Sequence, residues 1–219
     1  MTIPTYLTLL RLAAAPALAV VFLLLPRPLA DWAGLALFVG ASVTDWIDGR
    51  LARAWRQTTR LGTMLDPIAD KAMVAAALLV LCVVSSLGWM IMLPAVLILF
   101  REVFVSGLRE FLGDVSGTLA VTGLAKSKTA VQMIAIAVLF AAGIAEHHAG
   151  MAEMGMDYET VQAVLDGALE DETGLRTYAG LAVGLGNVGL LLLWLAAVLT
   201  VWTGVDYLTK AMPHLKETR

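Results

Sequence analysis

A chain of 219 residues that is 59% hydrophobic and 15% charged lies well above the roughly 45–50% apolar share of soluble globular domains. Its mean hydropathy of +0.82, and several apolar runs near the ~20 residues that cross a bilayer core as a helix, exclude a soluble domain. One cysteine, Cys82, excludes an internal disulfide, and a net charge of −3 decides nothing until the charges are placed.

Six membrane-spanning helices are expected, in the order Tyr6–Leu25, Trp32–Arg53, Asp70–Leu87, Trp89–Leu108, Thr129–Ala145 and Ala179–Gly204. The opening "MTIPTYLTLLR" is not followed by a short hydrophobic core ending in a small-residue cleavage site, so the first run reads as a span and not as a cleavable signal. The turn "LPRPLAD" divides the first two spans, and "SSLG" divides the third and fourth. Cys82, within "AALLVLCVVSS", is expected to pack among apolar neighbours. Between the fifth and sixth spans lies a polar insert, at about 146–177, with eight acids and one base, Arg176. It should contain a short amphipathic helix over Tyr158–Leu169, and its adjacent His147 and His148 are expected to be solvated in a loop. The whole chain, 1–219, reads as one integral membrane catalytic domain.

The charges orient these spans. With the N-terminus inside, the inner side receives thirteen Lys and Arg residues and the outer side only Arg27 and Arg176. Positive charge in short loops marks the cytoplasmic side. Both termini are therefore expected there, together with the stretch "VTDWIDGRLARAWRQTTRLGTMLDPIADKAMV".

That stretch holds four carboxylates between apolar helices. Asp45 and Asp48 are three apart and share a helix face; Asp66 and Asp70 are four apart and share one too, if the third helix begins just before Asp66. A short loop joins the two helices, so the pairs can converge at the cytoplasmic membrane boundary. Pairing with a nearby arginine would account for one such aspartate. Four in this pattern, in a partly dry site, repel one another unless cations compensate, and ionisable groups in spans are usually functional. Hard divalent cations prefer such oxygens, and Mg²⁺ commonly recruits phosphate oxygens as further ligands. Gly49, Ala52 and Gly62 are small enough to admit a ligand or a neighbouring helix, and Arg53 can meet a phosphate.

"DWIDGRLARAWRQTTRLGTMLDPIAD" resembles the signature of the CDP-alcohol phosphatidyltransferase family, with Asp45, Asp48, Gly49, Ala52, Arg53, Gly62, Asp66 and Asp70 at its fixed positions. The resemblance implies an all-α fold of six transmembrane helices, the CDP-alcohol phosphotransferase fold, with a cytoplasmic-side active site in the inner membrane of a bacterium. It implies two divalent ions, Mg²⁺ or Mn²⁺, with Asp45, Asp48, Asp66 and Asp70 as ligands. Asp70 would also act as general base, and Asp48, Gly49, Ala52, Arg53 and Gly62 would line the CDP pocket. The nucleotide is expected to be held through metal and backbone, because no Gly-rich phosphate loop opens a helix. An alcohol would attack the β-phosphorus of CDP-diacylglycerol and CMP would leave. A homodimer is expected from the family, and no nucleic-acid partner.

The second half bears on the alcohol. "REVFVSGLREFL" carries Arg101 and Arg109, and "LAKSKTAVQM" brings Lys126 and Lys128 to the fifth span. Four cations at one inner-leaflet vestibule suit a small phosphorylated acceptor, although cations there also anchor to lipid headgroups. Both segments, with "IPTYLTLLR" and "LTVWTGVDYL", resemble the phosphatidylglycerophosphate synthase branch of the family. Thr5 stands where that branch usually has Asn. The branch implies sn-glycerol 3-phosphate as acceptor, on the way to phosphatidylglycerol and cardiolipin, with Arg101, Arg109, Lys126 and Lys128 around its phosphate. Serine, inositol phosphate or a second phosphatidylglycerol are the rival acceptors: zwitterionic serine would not demand four cations, whereas inositol phosphate would, so the cations alone would admit it. A cation transporter would place its acids near the membrane midplane, often in inverted repeats; here they cluster at one face, with no second half repeating the pattern.

Overall fold

The computed structural model describes residues 2–55, 59–113 and 123–215, with side chains at all of these positions except 3, 4, 46, 48–55 and 123–126. Seven α-helices and no strand make up the regular structure of the described residues: α1 (Ile3–Leu24), α2 (Leu29–Trp55), α3 (Arg60–Val84), α4 (Trp89–Leu112), α5 (Gly123–Ala152), α6 (Tyr158–Asp166) and α7 (Leu175–Leu215). Local chemistry sets their ends. A proline opens α1, where its missing N–H is no loss. Thr59 caps α3, its Oγ1 accepting from Gly62 N at 3.0 Å. Asp157 caps α6 in the same way through Thr160 N at 2.8 Å, and this hydrogen bond holds its carboxyl below the usual aspartate range.

Five helices are long and apolar enough among the described residues to cross a membrane: α1, α3, α4, α5 and α7. Their outer faces expose Leu23, Val83, Phe100, Val103, Phe111 and Trp202, which a lipid environment accommodates and water would not. The chain is a multi-pass membrane protein. Inside, α5 packs on α7, and α1 packs on α2 and α3. The core gathers Leu18, Phe38, Met73, Leu78, Ile136 and Phe140, with the Phe38 and Phe140 rings 6.1 Å apart. Helices α5 and α7 approach closely at Gly189, where an added Cβ would lie 2.8 Å from the Leu139 side chain and 3.3 Å from its backbone nitrogen.

At the pole away from the aspartate stretch, Arg27 stitches three elements together. It donates to the buried Asp31 through Nε (2.7 Å) and Nη2 (2.8 Å), to Gly143 O at 3.3 Å and to Val84 O at 3.4 Å. The Asp31 hydrogen bonds raise the Arg27 pKa above its ordinary value.

Several boundaries differ from the sequence-based expectation. Helix α3 begins at Arg60, not just before Asp66 or at Asp70, because the Thr59 cap starts it one and a half turns earlier. Helix α5 runs through His147 and His148, which are therefore helical and half-buried and not loop residues. The His148 ring stacks on Tyr178 of α7 at 5.2 Å, a packing contact that a solvated loop would lack. Helix α7 continues past Gly204 to Leu215 because Tyr207 and Ala211 remain buried beyond it. The short insert helix is present, ending at Asp166 where Gly167 turns left-handed at φ 83°.

Candidate active site

Near its start, α1 turns Thr5, Thr8 and Arg11 inward, and all three are buried. Residues three apart share a helix face, so one side of α1 meets the beginning of α3 and the later part of α2. Thr5 Oγ1 hydrogen-bonds Thr59 Oγ1 at 2.8 Å and so engages the cap of α3. Gly62 completes that contact, since a Cβ there would sit 3.1 Å from Thr59 Oγ1 and 3.4 Å from Thr5 Oγ1. One turn along, Thr8 Oγ1 donates to Asp66 Oδ1 at 2.7 Å.

Arg11 then meets three carboxylates. Its Nη1 contacts Asp45 Oδ1 from α2 and Asp70 Oδ1 from α3, and Nη2 lies 3.7 Å from Asp66 Oδ1. The arginine side chain is 2% exposed, while Asp45, Asp66 and Asp70 are 46%, 48% and 51% exposed. The cluster therefore opens outward with the guanidinium at its back. Asp45, Asp66 and Asp70 are thus brought together as expected, and they are also arginine-paired, by a residue the sequence reading counted only among the inner-side cations. Asp48, Gly49, Ala52 and Arg53 follow in α2, and their side chains lie outside the described residues.

The donor type suits a hard divalent ion, being carboxylate oxygens from two helices, half exposed. Among the described residues no three acidic, histidine or cysteine side chains close on a common point; the positive group between Asp45 and Asp70 is Arg11.

A cavity of about 590 Å³ extends from this cluster between α3, α4 and α5, lined by Asp70, Lys71, Glu102, Ser106, Lys128 and Gln132 among others. Lys128 is buried and ion-paired with Glu102 Oε1, which Arg101 Nη1 also reaches at 3.1 Å. Lys71 Nζ contacts Ser106 Oγ, which donates to Glu102 O at 2.5 Å. Of the expected acceptor cations, Lys128 lines this cavity. Arg101 instead crosses α7 at Gly204, where a Cβ would lie 2.9 Å from its Cγ, and its Nη2 approaches Thr203 Oγ1 at 3.5 Å. Arg109 places its guanidinium carbon 5.2 Å from the centre of the Tyr207 ring, a cation–π distance. The Lys126 side chain lies outside the described residues.

Sequence reasoning did not single out Arg11, Thr8, Lys71 or Glu102 as site residues. The signal for the first two was the three-residue spacing of Thr5, Thr8 and Arg11 on an otherwise apolar helix.

Fold and site together define a multi-pass helical membrane protein with an acidic cluster, and a cavity bearing cations beside it, at one pole of its helices. Residues 1–202 match the family described as CDP-alcohol phosphatidyltransferase, and the chain belongs to that family. It is 50% identical over 218 residues to a Cereibacter sphaeroides protein named CDP-diacylglycerol–glycerol-3-phosphate 3-phosphatidyltransferase, covering 100% of this chain and 99% of the relative. Relatives of the same name from Rickettsia bellii (37% identical, 94% and 92% covered) and Pectobacterium atrosepticum (36%, 98% and 97%) are also similar over nearly their full lengths.

Proposed function

We propose that this protein transfers the phosphatidyl group of CDP-diacylglycerol to sn-glycerol 3-phosphate, giving phosphatidylglycerophosphate and CMP. The observation that carries the reading is one cavity reaching from Asp70 to Lys128. Its lining includes a carboxylate that can receive a proton and a cation that can hold a phosphate, the two groups a phosphorylated alcohol requires. The name shared by the full-length relatives supports the same pair of substrates.

In this reading Asp70 accepts the proton of the acceptor's primary hydroxyl. The hydroxyl oxygen forms a bond to the β-phosphorus, the bond from that phosphorus to the bridging oxygen breaks, and CMP leaves with the electron pair. Asp45, Asp48, Asp66 and Asp70 hold two divalent ions, Mg²⁺ or Mn²⁺. When bound, such a pair neutralises charge on the attacked and the departing phosphate. Gly49, Ala52, Arg53 and Gly62 line the CDP pocket. Lys128, whose side chain lines the cavity, holds the acceptor phosphate, and Arg101, Arg109 and Lys126 belong to the same reading. The diacyl chains stay in the bilayer beside the apolar helix faces, so the two headgroups meet at the interface.

The proposed topology has six spans with α2 as the second, since its 27 residues are long enough to cross. Both termini face the cytoplasm, as the thirteen-to-two distribution of cations favours, and the site opens on that side of a bacterial inner membrane. A homodimer belongs to the reading through the family resemblance.

Purified protein in detergent, given CDP-diacylglycerol, Mg²⁺ or Mn²⁺ and a panel of radiolabelled acceptors, tests the assignment. Phosphatidylglycerophosphate and CMP should form with glycerol 3-phosphate. CMP release with inositol phosphate or serine but not with glycerol 3-phosphate would overturn it.

A further inference from the structure

We propose that Arg11 competes with divalent cations for the aspartates and so sets how tightly those cations bind. The inference rests on reading the aspartates as metal ligands. Its basis is the placement of a single atom: Arg11 Nη1 contacts Oδ1 of Asp45 and Oδ1 of Asp70, carboxylates from two different helices. Its sister nitrogen faces Asp66 Oδ1, which Thr8 also engages.

A Mg²⁺ ligated by a carboxylate oxygen sits at about 2.0–2.1 Å from it. An ion that used either of those oxygens would therefore lie close to a nitrogen that shares the guanidinium charge. In a partly dry site two such cations repel strongly. Arg11 also stays charged at any physiological pH, so it cannot yield by losing a proton. Arg11 on these Oδ1 atoms therefore opposes an ion that draws on the same oxygens.

The burial pattern gives the two competitors opposite approaches. Arg11 comes from the packed side of α1, almost fully buried, whereas the half-exposed carboxylates leave the other side open to an arriving ion. When ions leave, the guanidinium keeps the carboxylates from repelling one another and holds α2 to α3. When ions bind, the apparent dissociation constant is raised by the fraction of time the arginine holds the site, so nine parts in ten of arginine-held protein raises it about tenfold.

Protein stripped with EDTA and titrated with Mn²⁺, with free Mn²⁺ read by electron paramagnetic resonance, tests this without any activity measurement. Arg11→Met should bind Mn²⁺ about tenfold more tightly than the wild type, and Arg11→Lys, which keeps the charge but loses the planar fork, should fall between them. The stripped Arg11→Met protein should unfold at a lower temperature than wild type, and saturating Mn²⁺ should close that gap. Unchanged or weaker Mn²⁺ binding by Arg11→Met overturns the proposal; if that variant does not fold, the absence of tightening in Arg11→Lys overturns it. Asp45→Asn and Asp70→Asn separate the two readings. If neither weakens Mn²⁺ binding, the aspartates are not the ligands and both readings fall. If both weaken it while the Arg11 variants do not tighten it, only the competition falls.

Discussion

Lys128 of α5 is ion-paired with Glu102 of α4 through Oε1, the oxygen that Arg101 Nη1 also reaches at 3.1 Å. The pair is asymmetric in consequence. Glu102→Ala strands two cations, one of them only 5% exposed, and breaking such a pair costs about 3–5 kcal/mol. Lys128→Ala leaves Glu102 with Arg101 and should cost less. The unfolding temperature in detergent should therefore be lower for Glu102→Ala than for Lys128→Ala, and the reverse order would contradict the shared-oxygen arrangement. Lys128→Ala should instead show its effect in kinetics. Losing a charged hydrogen bond of about 1.5–3 kcal/mol should raise the KM for glycerol 3-phosphate by roughly tenfold or more.

Asp70 lines the cavity and touches Arg11. If it receives the alcohol proton, as proposed above, its replacement should act on turnover. Asp70→Asn is isosteric and should lower kcat by about 10²–10⁴-fold, the usual contribution of a general base. Steady-state CMP release checks this, and turnover within a few-fold of wild type would remove the assignment.

Two glycines of one helix give a matched pair. A Cβ at Gly189 would press into Leu139, including its backbone nitrogen, whereas one at Gly184 meets nothing within 4 Å. Gly189→Ala must separate α5 from α7 and should cost about 1–3 kcal/mol. Gly184→Ala should be neutral, or gain up to about 1 kcal/mol from helix propensity. Thermal unfolding of the two variants side by side decides it.

Acid should loosen the insert helix selectively. The Asp157 carboxyl is depressed in the folded chain by its hydrogen bond to Thr160, so its stabilising effect is fully present above the ordinary aspartate value of about 3.9. That effect is lost as pH falls through the lower folded value. Hydrogen exchange over Tyr158–Asp166, corrected for intrinsic rates, should rise relative to α5 as the pH is lowered through that window. Asp157→Asn, which still caps but does not titrate there, should not show the change.

Much of this protein was legible before any coordinates. Apolar runs announce spanning helices because no other continuous structure satisfies the backbone in lipid. The aspartate spacings were legible too, since three- and four-residue intervals place side chains on one face of any helix. Boundaries were less so: α3 starts at Arg60 because of a threonine cap, and α5 continues through His147 and His148, the latter stacked on Tyr178. A hydropathy pattern fades where a helix leaves the apolar layer, although the helix itself continues.

By itself, then, the sequence determined the class of protein and the acidic signature, both properties of local composition and spacing. Only the tertiary structure decided what those charges meet. Arg11 lies 34 residues from Asp45 and 59 from Asp70, and Lys128 lies 26 from Glu102. Such partners are chosen by how helices pack, and no period along one helix carries that information. The packing turned one arginine of the charge count into the group between the aspartates. It also separated three of the expected acceptor cations, putting Lys128 in a cavity and Arg101 and Arg109 against α7.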